Sequence, residues 1–121
     1  MSHIRVVIAH EPRFYREVLA EALRCLRLEA EVVLVEQEGV DDAIHRAPPD
    51  VVICSRLTEA VETRVRAWIL LYPNSEDLAV VSVAGNRRTL PSVDLPDLLA
   101  VMDEAEGLAS GPANILAQSV R

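Results

Sequence analysis

The stretch Ala47-Pro48-Pro49-Asp50-Val51-Val52-Ile53-Cys54-Ser55-Arg56 limits the possible folds more than any other part of the chain. The proline pair ends whatever helix precedes it, because proline lacks the N–H that a helix interior requires. Four apolar residues then run without polar interruption, three of them β-branched. A run that short reads as a strand buried on both faces, the kind found in the middle of a parallel sheet. Its carboxyl end, Cys54-Ser55-Arg56, is where an open α/β sheet ordinarily places its chemistry. A thiol, a hydroxyl and a guanidinium stand there, with no carboxylate.

The flanking sequence supplies the rest of such a sheet. Ile4 to Ala9 is a second apolar strand, and Glu31 to Glu36 a third, built on Val32-Val33-Leu34-Val35. Between them Pro12 opens a helix whose inward stripe is Tyr15, Val18, Leu19, Ala22, Leu23 and Leu26 at i, i+3, i+4, i+7 spacing. Gly39 to Arg46 predicts a short helix with Asp41 and Asp42 at its favourable end. Thr58 is placed to cap a helix running to Leu71, with Val61, Val65, Trp68 and Tyr72 facing inward. Leu78 to Ala84 follows as another strand. The repeated strand–helix alternation implies a parallel sheet with helices on both sides, a three-layer α/β fold.

Beyond Ser82 the alternation stops. A parallel crossover needs a dozen or more residues, and the interval to Pro91 is shorter than that. The expected solution is a hairpin at Gly85-Asn86, with Arg88-Thr89-Leu90 as an antiparallel edge strand and no helix between. Arg87-Arg88 reads as an edge guard. Asp94 and Asp97 form a capping-box pattern for a last helix carrying Leu95, Leu98, Leu99 and Met102. Residues 1–106 make one domain, and 107–121 a C-terminal tail that is either flexible or docked on the body.

Composition narrows the chemistry. The chain has 121 residues, 50% of them hydrophobic but only 3% aromatic, so Val, Leu, Ile and Ala must build the core. A formal charge of −7 disfavours nucleic acid or an anionic membrane as partner. All 12 basic residues are arginines, which rules out a Schiff-base or Walker lysine. Cys25 and Cys54 show no metal-ligand or CxxC spacing, so two reduced thiols in a cytoplasmic protein are expected. No signal-peptide pattern or membrane-span length of apolar residues occurs, and no metal or cofactor is expected.

With the elements placed, the chain resembles the receiver domain of two-component response regulators, a flavodoxin-like fold, over residues 3 to 106. The acidic pair of that family falls on His10-Glu11, the phospho-accepting position on Ser55, the hydroxyl position on Ser82, and the lysine position on Pro91. The resemblance implies strand order 2-1-3-4-5, with the fourth helix missing and the last strand reversed through the hairpin. It also implies a degenerate phosphorylation site. Receiver chemistry needs several carboxylates to hold Mg²⁺ and accept a phosphoryl group. Of these only Glu11 is matched, and Ser55 cannot form an acyl phosphate.

Two functions follow from different classes. In the first, the chain is a pseudo-receiver: a regulatory module without enzymatic activity that works by protein–protein contact with an unidentified partner, as a homodimer. The missing helix should bare Val81, Val83, Arg88 and Leu90, either as the dimer interface or as a seat for Ile115-Leu116. The alternative is a small-ligand or enzymatic site in a crevice lined by His10, Glu11, Cys54, Ser55 and Ser82, with Cys54 or Ser55 as nucleophile and His10 as base. Against it, a cysteine inside an apolar run is ordinarily core, and no GxSxG elbow or Gly-rich phosphate loop is present. The first reading is preferred.

Overall fold

A computed structural model describes residues 4–9, 13–26, 30–71, 78–91 and 94–109 of the chain. Strands β1 (Arg5–Ala9), β2 (Glu31–Leu34), β3 (Val51–Cys54), β4 (Ala67–Leu71), β5 (Ala79–Val83) and β6 (Asn86–Leu90) alternate in part with helices α1 (Arg13–Leu26), α2 (Val40–Arg46), α3 (Glu59–Arg64) and α4 (Leu95–Ala109). The strands form one mixed sheet in the order β2-β1-β3-β4-β5-β6.

The proline-flanked stretch lies where its composition puts it. β3 pairs in parallel with β1 and with β4, and all its side chains are buried. Asp50 sets the register with β1: its carboxylate accepts from the Arg5 N–H at 2.7 Å, and its own N–H donates to the Arg5 carbonyl at 2.8 Å. Strand side chains alternate between two cores. On one face Val6, Ile8, Val51, Ile53, Ile69 and Val81 pack under α1 and α4. On the other, Val7, Val52, Cys54 and Trp68 pack against Val40 and Ile44 of α2 and Val61 of α3. Three layers result.

The predicted helix from Thr58 to Leu71 is corrected. Thr58 does cap it, its hydroxyl accepting from the Val61 N–H at 3.2 Å, but α3 ends at Arg64 and the chain re-enters the sheet as β4. Ala67-Trp68-Ile69-Leu70-Leu71 fits a two-sided buried strand as well as it fits a helix face, and burial on both sides of the sheet decides for the strand. This extra strand reverses the direction of the next. β5, expected to be parallel, runs antiparallel to β4, and β6 runs antiparallel to β5. The expected hairpin is present, with no helix between β5 and β6, but its turn is Ala84-Gly85 and the strand reversed against the sheet is β5; β6, antiparallel to β5, runs in the direction of β1, β3 and β4. Relative to the expected 2-1-3-4-5, the observed order carries β4 as an insertion before the hairpin.

Two smaller differences concern helices. Among the described side chains of α1, Leu19, Ala20 and Leu23 are buried, whereas Val18 and Leu26, expected inside, are 51% and 47% exposed; Tyr15, also expected inside, lies outside the described side chains. α4 begins with the predicted reciprocal box, Asp94 N–H to the Asp97 carboxylate at 3.0 Å and Asp97 N–H to the Asp94 carboxylate at 3.3 Å. It then continues past Glu106 to Ala109.

Candidate functional site at the carboxyl end of β3

The end of β3 is closed by a residue that the sequence did not single out. Gln37, in the 3-10 turn Gln37–Gly39 that follows β2, is only 3% exposed. Its Oε1 accepts from the Ser55 N–H at 3.1 Å, the Ser55 hydroxyl at 3.2 Å and the Arg56 N–H at 3.2 Å. Its Nε2 donates to the Arg56 carbonyl at 3.1 Å. A buried amide must find partners for both its ends, and here one short loop supplies them. The turn after β2 and the turn after β3 are thereby latched together at the point where an open α/β sheet leaves room for a ligand.

Cys54 lies behind this latch with no exposed surface. Burial pushes its thiol up from 9.0 to about 12, and a backbone hydrogen bond from Arg56 opposes the rise only in part. A thiol that stays protonated is a poor nucleophile. Arg56 points into solvent near Glu38, at 3.8 Å with both side chains largely exposed, so the pair contributes little. His10 and Glu11 lie outside the described residues. Among the described residues no three His, Cys, Asp or Glu side chains come together as a group that could hold a metal ion. What stands at this end of β3 (a buried thiol, a hydroxyl and a glutamine amide) does not fit a divalent cation, which favours several oxygen anions.

Ser82 and Pro91 are not gathered around Ser55. Ser82 sits on β5 opposite Trp68, which in turn pairs with Val52, so it is buried partway down the sheet and not at its carboxyl end. The reversal of β5 is the reason. Pro91 follows β6, three strand positions from β3, or roughly 14 Å across the sheet. The crevice proposed from the sequence therefore does not form from Cys54, Ser55 and Ser82.

The predicted bare flank is also corrected. Val81 is fully buried, and Val83 and Leu90 are half-buried against the same core, because α4 covers that face of β5. Arg88 is half-exposed and reaches Glu104 of α4 at 3.1 Å. Ile115 and Leu116 lie outside the described residues. On the opposite face, Trp68 is 2% exposed, packed in the core that includes Val61 of α3 and Val80 of β5. Arg87 lies over its ring at 5.0 Å and donates to Glu62 of α3 at 2.6 Å.

Among the described residues no helix is long and apolar enough to cross a membrane. No protein-family model, curated protein or solved structure matches this chain.

Proposed function

We propose that the chain is a receiver-like regulatory module that acts by protein–protein contact and carries out no phosphotransfer. The observation that carries this reading is the Gln37 latch: the loop that would have to present a reactive side chain has both its N–H groups and the Ser55 hydroxyl directed onto a buried amide. The placement of β2, β1 and β3, with helices on both faces, supports the receiver likeness in its first half. The burial of Cys54 speaks against the nucleophilic alternative.

The test is incubation of the full chain with acetyl phosphate and Mg²⁺, read by intact mass and by hydrogen exchange. Unchanged mass and unchanged exchange around residues 54–58 are expected. A mass gain of one phosphoryl group, or ordering of that loop by Mg²⁺, overturns the proposal.

A further inference from the structure

We propose that residues 110–121 fold back into the groove between α1 and α4, where Ile115, Leu116 and Val120 cover the exposed apolar flank of α1. The inference goes beyond the protein-contact reading above and does not depend on it.

Val18, Ala22, Cys25 and Leu26 fall at i, i+4, i+7 and i+8 and form one stripe along α1. Among the described residues, Val18 and Leu26 are the large apolar side chains left exposed. Arg24 shows which way the stripe looks. Its guanidinium donates to the carbonyl of Val32 on β2, the edge strand, at 3.1 Å. Leu19, Ala20 and Leu23 face the sheet, so Arg24 takes the flank of the helix toward that edge. The stripe takes the other flank, toward α4. α4 is turned the opposite way: Glu104 reaches Arg88 at the β6 edge, which leaves the half-buried Leu95 and Leu99 on the side toward α1. Two apolar flanks thus face each other over the middle of the sheet.

Geometry, charge and tethering select the occupant. α1 follows β1 and α4 follows β6, two strands that run in the same direction. Both helices therefore run back along the same face, and Leu26 and Ala109 come to the same end of it. From β1, under α1, to β5, under α4, is three strand spacings, or roughly 14 Å. The chain from Ala109 to Ile115 reaches up to about 20 Å, enough to bring Ile115 and Leu116 to Leu26. Leu116 to Val120 then covers about 13 Å when extended, against about 12 Å along the helix from Leu26 to Val18. One segment meets both ends of the stripe.

Glu21 on α1 and Asp103 and Glu106 on α4 line the rim of this groove with acid. Residues 110–121 contain no Asp or Glu and one basic residue, Arg121. A second copy of the whole chain carries a charge of −7 and meets that rim unfavourably. The segment is also tied to Ala109, so it samples the groove at a roughly millimolar effective concentration that a separate partner must exceed.

The test is amide exchange over residues 110–121 in the full chain, with the rate at which an aromatic disulfide reagent modifies Cys25 as a second reading. Exchange at residues 113–120 should be at least about fivefold slower in the parent than in Ile115→Ser/Leu116→Ser, and Cys25 at least about threefold slower to react. Val18→Ser/Leu26→Ser should free the segment to the same degree. Combining all four changes should add nothing further, as expected of side chains that share one contact. Val18 and Leu26 are exposed and the other pair follows α4, so unchanged far-UV circular dichroism is expected in every variant. The tail pair alone decides the matter if the helix pair lowers stability. Exchange at open-chain rates in the parent overturns the inference, and so does protection indifferent to both pairs of changes. Protection that grows with concentration, alongside dimer in sedimentation, gives the groove to a second copy and overturns it as well. None of these results bears on the phosphoryl test, so the two proposals fail separately.

Discussion

The Arg87 guanidinium lies 5.0 Å from the centroid of the Trp68 ring and is held there by Glu62 at 2.6 Å. This pairing covers Trp68 on the face of the sheet that α3 shares. An aromatic ring on a strand needs cover, and a cation held over its face supplies both contact area and electrostatic attraction. The strap also ties β6 to α3, two elements that share no main-chain hydrogen bond.

Truncating Arg87 should therefore act on Trp68 as well as on charge. Arg87→Ala is expected to lower stability by about 1–2 kcal/mol, combining a lost cation–π contact with lost packing. Trp68 is the chain's single tryptophan, so its emission should shift to the red and become quenchable by acrylamide. Arg87→Lys should restore less than half of the loss, because an ammonium cannot lie flat on the ring. Unchanged emission in Arg87→Ala would show that the ring is covered by something else.

Gln37 offers a second test. Gln37→Ala leaves the Ser55 and Arg56 N–H groups and the Arg56 carbonyl without their buried partner. The expected cost is about 2–4 kcal/mol in urea unfolding, with faster amide exchange at Ser55 and Arg56. Gln37→Met, which keeps the volume, should cost nearly as much, because the hydrogen bonds and not the packing are at stake. A Met variant as stable as the parent would remove the latch from the account.

The thiols separate by burial. Cys25 is exposed on α1 and Cys54 is buried, so an aromatic disulfide reagent should titrate one thiol in the native chain and both after denaturation. The same burial gives a pH dependence. The folded thiol is pushed up to about 12 from 9.0, so the folded state resists losing that proton while the unfolded state gives it up near 9. Stability from this group is complete below pH 9 and declines as pH rises toward 12. Between pH 9 and 10 the loss should be about 1 kcal/mol, and Cys54→Ala should abolish that slope.

The first half of the fold was legible because each element there announces itself in one period. β1 and β3 are short β-branched runs, and Pro48-Pro49 leaves no room for a helix to continue. The segment from Val65 to Leu71 carries no such mark. Its apolar residues satisfy both a helix face and a buried strand, and following the Thr58 cap onward as helix cost β4 and the direction of β5. Cys54 in the core and the hairpin edge strand were readable from composition and from the shortness of the interval to Pro91. Gln37 was not, because a glutamine between two glutamates has no pattern. Its partners are 18 and 19 residues away and are brought together only by the sheet. The Arg87–Trp68 pair was hidden for the same reason, since placing Trp68 on a helix separates the two.

The hairpin that joins β5 to β6 is itself under mild strain, and that can be tested directly. Ala84 has φ +53° and Gly85 φ +86°, the left-handed pair that a two-residue turn of this kind requires. Gly85 adopts it without penalty, but Ala84 carries a Cβ in a region that favours asparagine or glycine. Ala84→Asn should raise stability by about 0.5–1 kcal/mol, since asparagine tolerates the left-handed region at the first turn position. Gly85→Ala should lower it by about 1 kcal/mol, although open space surrounds the added Cβ, because the cost lies in the backbone and not in a clash. Urea unfolding of both variants, with amide exchange across Asn86–Leu90, decides the matter. Opposite signs in the two variants locate the strain in the turn; equal signs would place the limit on β6 stability in the Arg87–Glu62 and Arg88–Glu104 pairs instead.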